Sequence, residues 1–286
     1  MSALRVAAVP AALVAAACAT AWGGTAVHVS TGPGPGFRRA AGWHVIQNGL
    51  AKPPGLSAAA AANVPLARRD LGPGTPEPLH TVASLPRDGV VIWAQFPPRR
   101  MSARSNKYFP PTTLPLRLSQ SVRLDGIPEG FTCHRRCAIR TVEASASGYD
   151  IAVWIFFGGA HPSAAARAAA DRELGRISVP GCPKRPLALT RVDLRGAARA
   201  ALTWLRAHYV APAEHDLDGA TAAARRLSDV AGDSRFATAA ALCGARAGRI
   251  AAVTVTPSEP GRKNAGSKLV YFLAETRRGW LVWRQG

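Results

Sequence analysis

Nine consecutive residues, Tyr149-Asp150-Ile151-Ala152-Val153-Trp154-Ile155-Phe156-Phe157, are apolar at odd and even positions alike, apart from Asp150. A strand with one wet face would alternate polar and apolar side chains. This run does not, so it belongs in the middle of a sheet with cover on both faces. Ser147-Gly148 precedes it as a turn, and Ala138 to Ala144 precedes that as a further strand, so the two runs read as a hairpin. Any fold for this chain has to be built around that hairpin.

The neighbouring segments supply more strands. Val90 to Phe96 is filled with β-branched and aromatic residues between two turn signals, Asp88-Gly89 and Pro97-Pro98. Trp43-His44-Val45-Ile46 reads as an edge strand. Leu114-Pro115-Leu116-Arg117-Leu118 alternates, but Pro115 restricts it to an edge. Ala58 to Ala62, in a Pro-rich connection, reads as a helical turn. Gly158-Gly159 ends the central run, and Pro162 opens a helix to about Arg176. Leu187 to Leu194 is strand-like, and a boundary is expected near Asp193.

The last ninety residues have a different rhythm. Ala198, Leu202, Leu205 and Tyr209 recur at helical spacing, which predicts an amphipathic helix over 196–209. A second helical stretch is expected from Asp218 to about Val230. Strands follow at Arg249 to Thr256, Lys268 to Thr276 and Trp280 to Trp283. The fold class is therefore α+β. An N-terminal β-rich, sandwich-like domain with one covering helix (41–193) precedes a smaller α+β domain (194–286) of two helices and a three-stranded antiparallel sheet. The final strand, with Gly279-Trp280-Leu281-Val282-Trp283, resembles the last strand of NTF2-like or cystatin-like domains. Such folds host enzymes and binding modules alike, so the resemblance implies no activity.

The N-terminus points to export. Arg5 is the only early charge, and Val6 to Thr25 carries none. A positive start, an apolar stretch and then small residues make a secretory leader. Ala19-Thr20-Ala21 is a cleavage site, Cys18 is a candidate for lipidation, and an uncleaved anchor is the third reading. Residues 1–22 are thus assigned as signal peptide or membrane anchor. Residues 23–40 are assigned as a Gly/Pro-rich tether, since Gly and Pro at that density hold neither a helix nor a central strand. The body is expected to be extracytoplasmic, secreted or held at the outer face of the cytoplasmic membrane.

Cysteine usage agrees with an oxidising compartment. Cys133, Cys137, Cys182 and Cys243 remain beyond Cys18, an even number that admits three disulfide pairings. Cys133-His134-Arg135-Arg136-Cys137 has metal-ligand residue types, but no second close pair completes a zinc site.

Motifs for chemistry are missing. No Gly-Lys dipeptide exists for a phosphate loop, and neither H-E-x-x-H nor G-x-S-x-G occurs. Gly232-Asp233-Ser234 has no histidine downstream to serve as its base, and reads as a turn. His215, Asp216 and Asp218 read as a helix start and His161 as a surface residue. Trp93, Trp154, Phe156 and Phe157 read as core. No catalytic, cofactor or metal residue is assigned.

Charge says more about partners. The chain has 36 Lys and Arg against 17 Asp and Glu, a formal charge of +19. That balance favours an anionic envelope polymer or lipid surface, or a protein partner of matching charge. Nucleic acid is not expected for an exported body. Arg99, Arg100, Arg104 and Lys107 form the densest basic loop and are the candidate contacts. The functional expectation is a non-catalytic cell-envelope binding module. The alternative is an exported hydrolase whose site is assembled from scattered residues.

Overall fold

The computed structural model describes residues 28–49, 57–71, 76–97, 107–133, 137–208, 217, 219–257 and 268–285. The apolar run with Cys18, the loop residues Arg99, Arg100 and Arg104, and Tyr209, His215, Asp216 and Asp218 lie outside them.

The first described residues fall inside the segment expected to be a tether. Val29–Thr31 forms strand β1 and Gly36–Phe37 forms β2. Each takes an edge or a two-stranded ladder, the positions a Gly/Pro-rich segment can fill. Strands β3 (His44–Gln47) and β4 (Ala58–Ala62) follow, then the short helix α1 (Leu79–Ala83) and β5 (Val90–Gln95). Next come β6 (Val122–Leu124), β7 (Ala138–Ala146) and β8 (Tyr149–Phe157).

These build a six-stranded antiparallel sheet in the order β3-β4-β5-β8-β7-β6. The doubly apolar run β8 sits inside it, as its pattern requires. Ile151, Val153, Ile155 and Phe157 face one core; Phe156 and Trp154 face the other. The first core is covered by helix α2 (Ala164–Leu174) and by the ladder of β2 with β9 (Ile177–Ser178). The second is covered by α1 and by Phe131, which stacks on Trp93 and Phe156. The cover is thus helix, short ladder and loop, where a facing sheet was expected of a sandwich. Ser163, one residue after Pro162, caps α2 by accepting from Ala166 N.

Ala58–Ala62 is a strand, not a helical turn, and all five side chains are fully buried. Ala59 and Ala61 face the first core and Ala60 the second. Burial between two strands overrides the helical preference of alanine. Leu114 to Leu118 forms no strand; the short edge strand lies further on, at β6.

The second lobe is a mixed five-stranded sheet. Helix α3 (Arg191–His208) leads into β10 (Thr221–Arg226), helix α4 (Ser234–Cys243), and strands β11 (Ile250–Thr256), β12 (Leu269–Thr276) and β13 (Gly279–Gln285). The order is β1-β13-β12-β11-β10, with β1 parallel to β13. Three corrections follow. Residues 221–226 are a strand rather than part of a helix, the second helix is α4, and five strands replace three. Helix α3 also starts at Arg191, inside the strand-like stretch. Thr190 and Asp193 exchange backbone and side-chain hydrogen bonds there as a capping box. Its buried stripe is Ala197, Ala200, Ala201, Trp204 and Leu205; of the expected positions Leu205 lies in it, Leu202 packs at its margin and Ala198 falls outside it.

The sheet has helices on both faces. Helix α3 packs on Ala251, Val253, Tyr271 and Leu273; α4 packs on Ile250, Ala252, Phe272 and Trp283. The lobes meet where Arg284 of β13, only 2% exposed, reaches the β7–β8 turn. Its guanidinium donates to the carbonyls of Ser147 and Gly148 and lies 4.3 Å from the centre of the Tyr149 ring. Both turn residues have positive φ, and a Cβ on Gly148 would fall 2.6 Å from that guanidinium. Glycine is therefore required twice over.

Candidate functional site

Strand β10 is an edge strand that alternates strictly. Ala222 and Ala224 pack under α3, so Thr221, Ala223 and Arg225 point to the other face. In register beside them on β11 stand Thr256, Thr254 and Ala252. Helix α4 covers the central strands on this face and leaves the β10–β11 end open. The result is a groove of about 490 Å³ floored by these short side chains. Phe236 and the turn from Asp229 to Asp233 form one wall, and Lys268 completes the lining.

Its electrostatics divide cleanly. Asp233 caps α4 through Arg235 N and holds the Arg235 guanidinium at 2.5 Å. The side-chain hydrogen bond from Arg235, then its backbone N–H, pulls the Asp233 pKa down to about 2. That pair neutralises itself. Arg225 and Lys268 have no ion-pair partner among the described residues, and Asp229 on the wall, which accepts from the Ser228 hydroxyl, is the one other carboxylate of the lining. The floor thus offers threonine hydroxyls and two uncommitted cations, a set that suits a hydroxylated or phosphorylated anionic chain.

A second cluster lies in the first lobe. Asp70, with a side chain 1% exposed, accepts from the backbone N–H of His80 and Thr81 and from the Thr81 hydroxyl, and lies 2.9 Å from His80 Nδ1. Burial alone would raise its pKa, but the hydrogen bonds from Thr81 and His80 outweigh that and leave it below the ordinary value. A buried carboxylate behind a half-exposed imidazole is the orienting half of a catalytic pair. Among the described residues no serine, threonine or cysteine bonds the His80 ring. Asp70 caps α1 from a distance, a sufficient structural role.

No family model, curated protein or solved structure matches this chain.

The residues picked out from sequence fall as follows. Cys133 pairs with Cys137, and Cys182 with Cys243. The second bridge fixes the segment between the lobes to the end of α4. Among the described residues no three His, Cys, Asp or Glu side chains gather to hold a metal. No helix among them is long and apolar enough to cross a membrane. Lys107 is exposed, 6.0 Å from the centre of the Tyr108 ring, and is not brought to the groove. His161 is exposed between β8 and α2. Asp233 caps α4, Ser234 begins it, and Asp233 pairs with Arg235. Trp93 and Phe156 are core, with Trp154 stacked 4.6 Å from Trp93.

Sequence reasoning missed both the groove and the Asp70–His80 pair. The groove was hidden by reading Thr221-Ala-Ala-Ala-Arg-Arg as helix. Asp70 and His80 are ten residues apart in a Pro-rich connection, with no spacing signal to join them.

Proposed function

We propose that the protein is a non-catalytic binding module of the cell envelope that takes an anionic polymer into the β10–β11 groove. The observation that carries the reading is the two cations, Arg225 and Lys268, without an ion-pair partner among the described residues, at a floor that includes Thr221, Thr254 and Thr256. The leader-like N-terminus and the two cystines support an extracytoplasmic site of action, where such polymers lie. The likeness of the last strand to NTF2-like or cystatin-like domains fits a sheet that serves as a platform, and assigns no chemistry.

The test is retention on immobilised linear polyphosphate across a salt series. Wild type should be held at low salt and released as salt rises, because exposed charges are screened. Arg225→Gln with Lys268→Gln should bind more weakly at low salt by about two- to thirtyfold, at about 0.2–1 kcal/mol per exposed ion pair. Unchanged retention would contradict the groove, and no retention of wild type would contradict polymer binding altogether.

The exported hydrolase is the second reading, and the Asp70–His80 pair is the observation in its favour. Ester turnover by wild type that is lost in His80→Gln would transfer the assignment to that site.

A further inference from the structure

The outer face of α3 is uniformly basic. Arg191, Arg195, Arg199 and Arg206 are all exposed. At 3.6 residues per turn they fall within about 80° of arc and along about 22 Å of helix. None of the four makes an ion pair among the described residues. The helix's one acid, Asp193, is turned to its own cap at Thr190. Val192, on the flank of the ridge, is 63% exposed.

The inner face of α3, opposite the ridge, packs beside strand β1, which follows the first described residue, His28. Trp280 N donates to His28 O, and a Cβ on Gly196 of α3 would touch the Trp280 ring at 3.4 Å. Further along the same helix, Trp204 Nε1 donates to Thr31 Oγ1 at 2.8 Å. The β12–β13 turn carries two more exposed arginines, Arg277 and Arg278, and the next residue, Gly279, is packed against His28. Four arginines on the outer face of α3 and two on the β12–β13 turn thus belong to the elements that contact His28 and Thr31, the described residues that follow the uncharged apolar stretch Val6 to Thr25 in sequence.

We propose that the outer face of α3 and the Arg277–Arg278 turn dock the protein on an anionic lipid bilayer. A single acyl chain, such as one carried on Cys18, holds a protein only marginally unless a polybasic surface adds a second attraction. Each arginine near an anionic leaflet strengthens binding about fivefold. Val192 offers an apolar contact beside the ridge. The proposal shares the extracytoplasmic assignment above but uses a different surface from the groove.

The test is partitioning of the full chain onto vesicles of phosphatidylcholine alone and of phosphatidylcholine mixed with phosphatidylglycerol. Wild type should prefer the anionic vesicles. Arg191→Gln, Arg195→Gln, Arg199→Gln and Arg206→Gln combined should reduce that preference about tenfold or more. Arg277→Gln with Arg278→Gln, outside the helix, should reduce it in the same direction. A control of equal charge, Arg38→Gln, Arg68→Gln, Arg69→Gln and Arg87→Gln combined, lies in the first lobe and should change it by no more than about threefold. Equal losses in ridge and control variants, an unaffected ridge variant, or a wild type indifferent to lipid charge would each overturn the proposal. The groove variants should keep wild-type vesicle binding, so failure of the polymer reading and failure of this one are separable.

Discussion

At the scale of single residues, Asp70 and Arg284 show how buried charge is tolerated here. Asp70 satisfies two backbone donors and a hydroxyl beside its imidazole, so its ionised form is held by directed hydrogen bonds rather than by one counter-charge. Asp70→Asn should destabilise the protein at neutral pH by about 1–3 kcal/mol, the cost of weakening bonds to buried donors. Because the folded pKa lies below the unfolded value of 3.8, the Asp70 contribution is complete above that value. It should fade as pH falls through the lowered folded value, so the urea midpoints of wild type and variant should converge in acid. A gap that stayed constant across that range would contradict the account. Arg284 lacks a carboxylate among the described residues, and burial lowers its pKa. Two carbonyls and the Tyr149 ring take the place of a counter-ion.

At the scale of elements, the strand of five alanines is the tightest constraint. Every β4 side chain is fully buried, with cores on both faces. Ala60→Leu should therefore cost about 1–3 kcal/mol by overpacking, read as a lower urea midpoint with an unchanged slope. A neutral substitution would show that the layer above β4 is looser than its burial indicates. The same element shows where sequence stops being legible. Hydrophobic and β-branched runs such as Val90 to Gln95 and Tyr149 to Phe157 carry their own strand signal, and the Ser147-Gly148 turn carries its register. Alanine-rich segments do not: Ala58–Ala62 carries the local preference of a helical turn, and Thr221–Arg226 that of part of a helix, because alanine favours helix locally and only neighbours decide otherwise. The start of α3 was legible in principle, since Thr190 and Asp193 have the spacing of a capping box. The groove could not be read, because it depends on the strand registers that set Arg225 at one end of the β10–β11 floor and Lys268 at the other.

At the scale of the whole molecule, three attachments unite the lobes. Strand β1 belongs to the second sheet while β2 pairs with β9 on the first lobe. Arg284 reaches the β7–β8 turn, and Cys182–Cys243 fixes the connecting segment to α4. The two bridges differ in reach. Cys133–Cys137 spans four residues of sequence and Cys182–Cys243 spans 61. By loop-closure entropy the longer one should stabilise the fold by about 2 kcal/mol more than the shorter. Both bridges, the groove reading and the bilayer reading depend on one compartment. The most direct measurement is alkylation and intact-mass analysis of the protein recovered from fractionated cells without reduction. The account predicts recovery in the envelope or secreted fraction, with Cys133, Cys137, Cys182 and Cys243 blocked until a reductant is added. Recovery in the cytosol with all four thiols alkylated at once would contradict it.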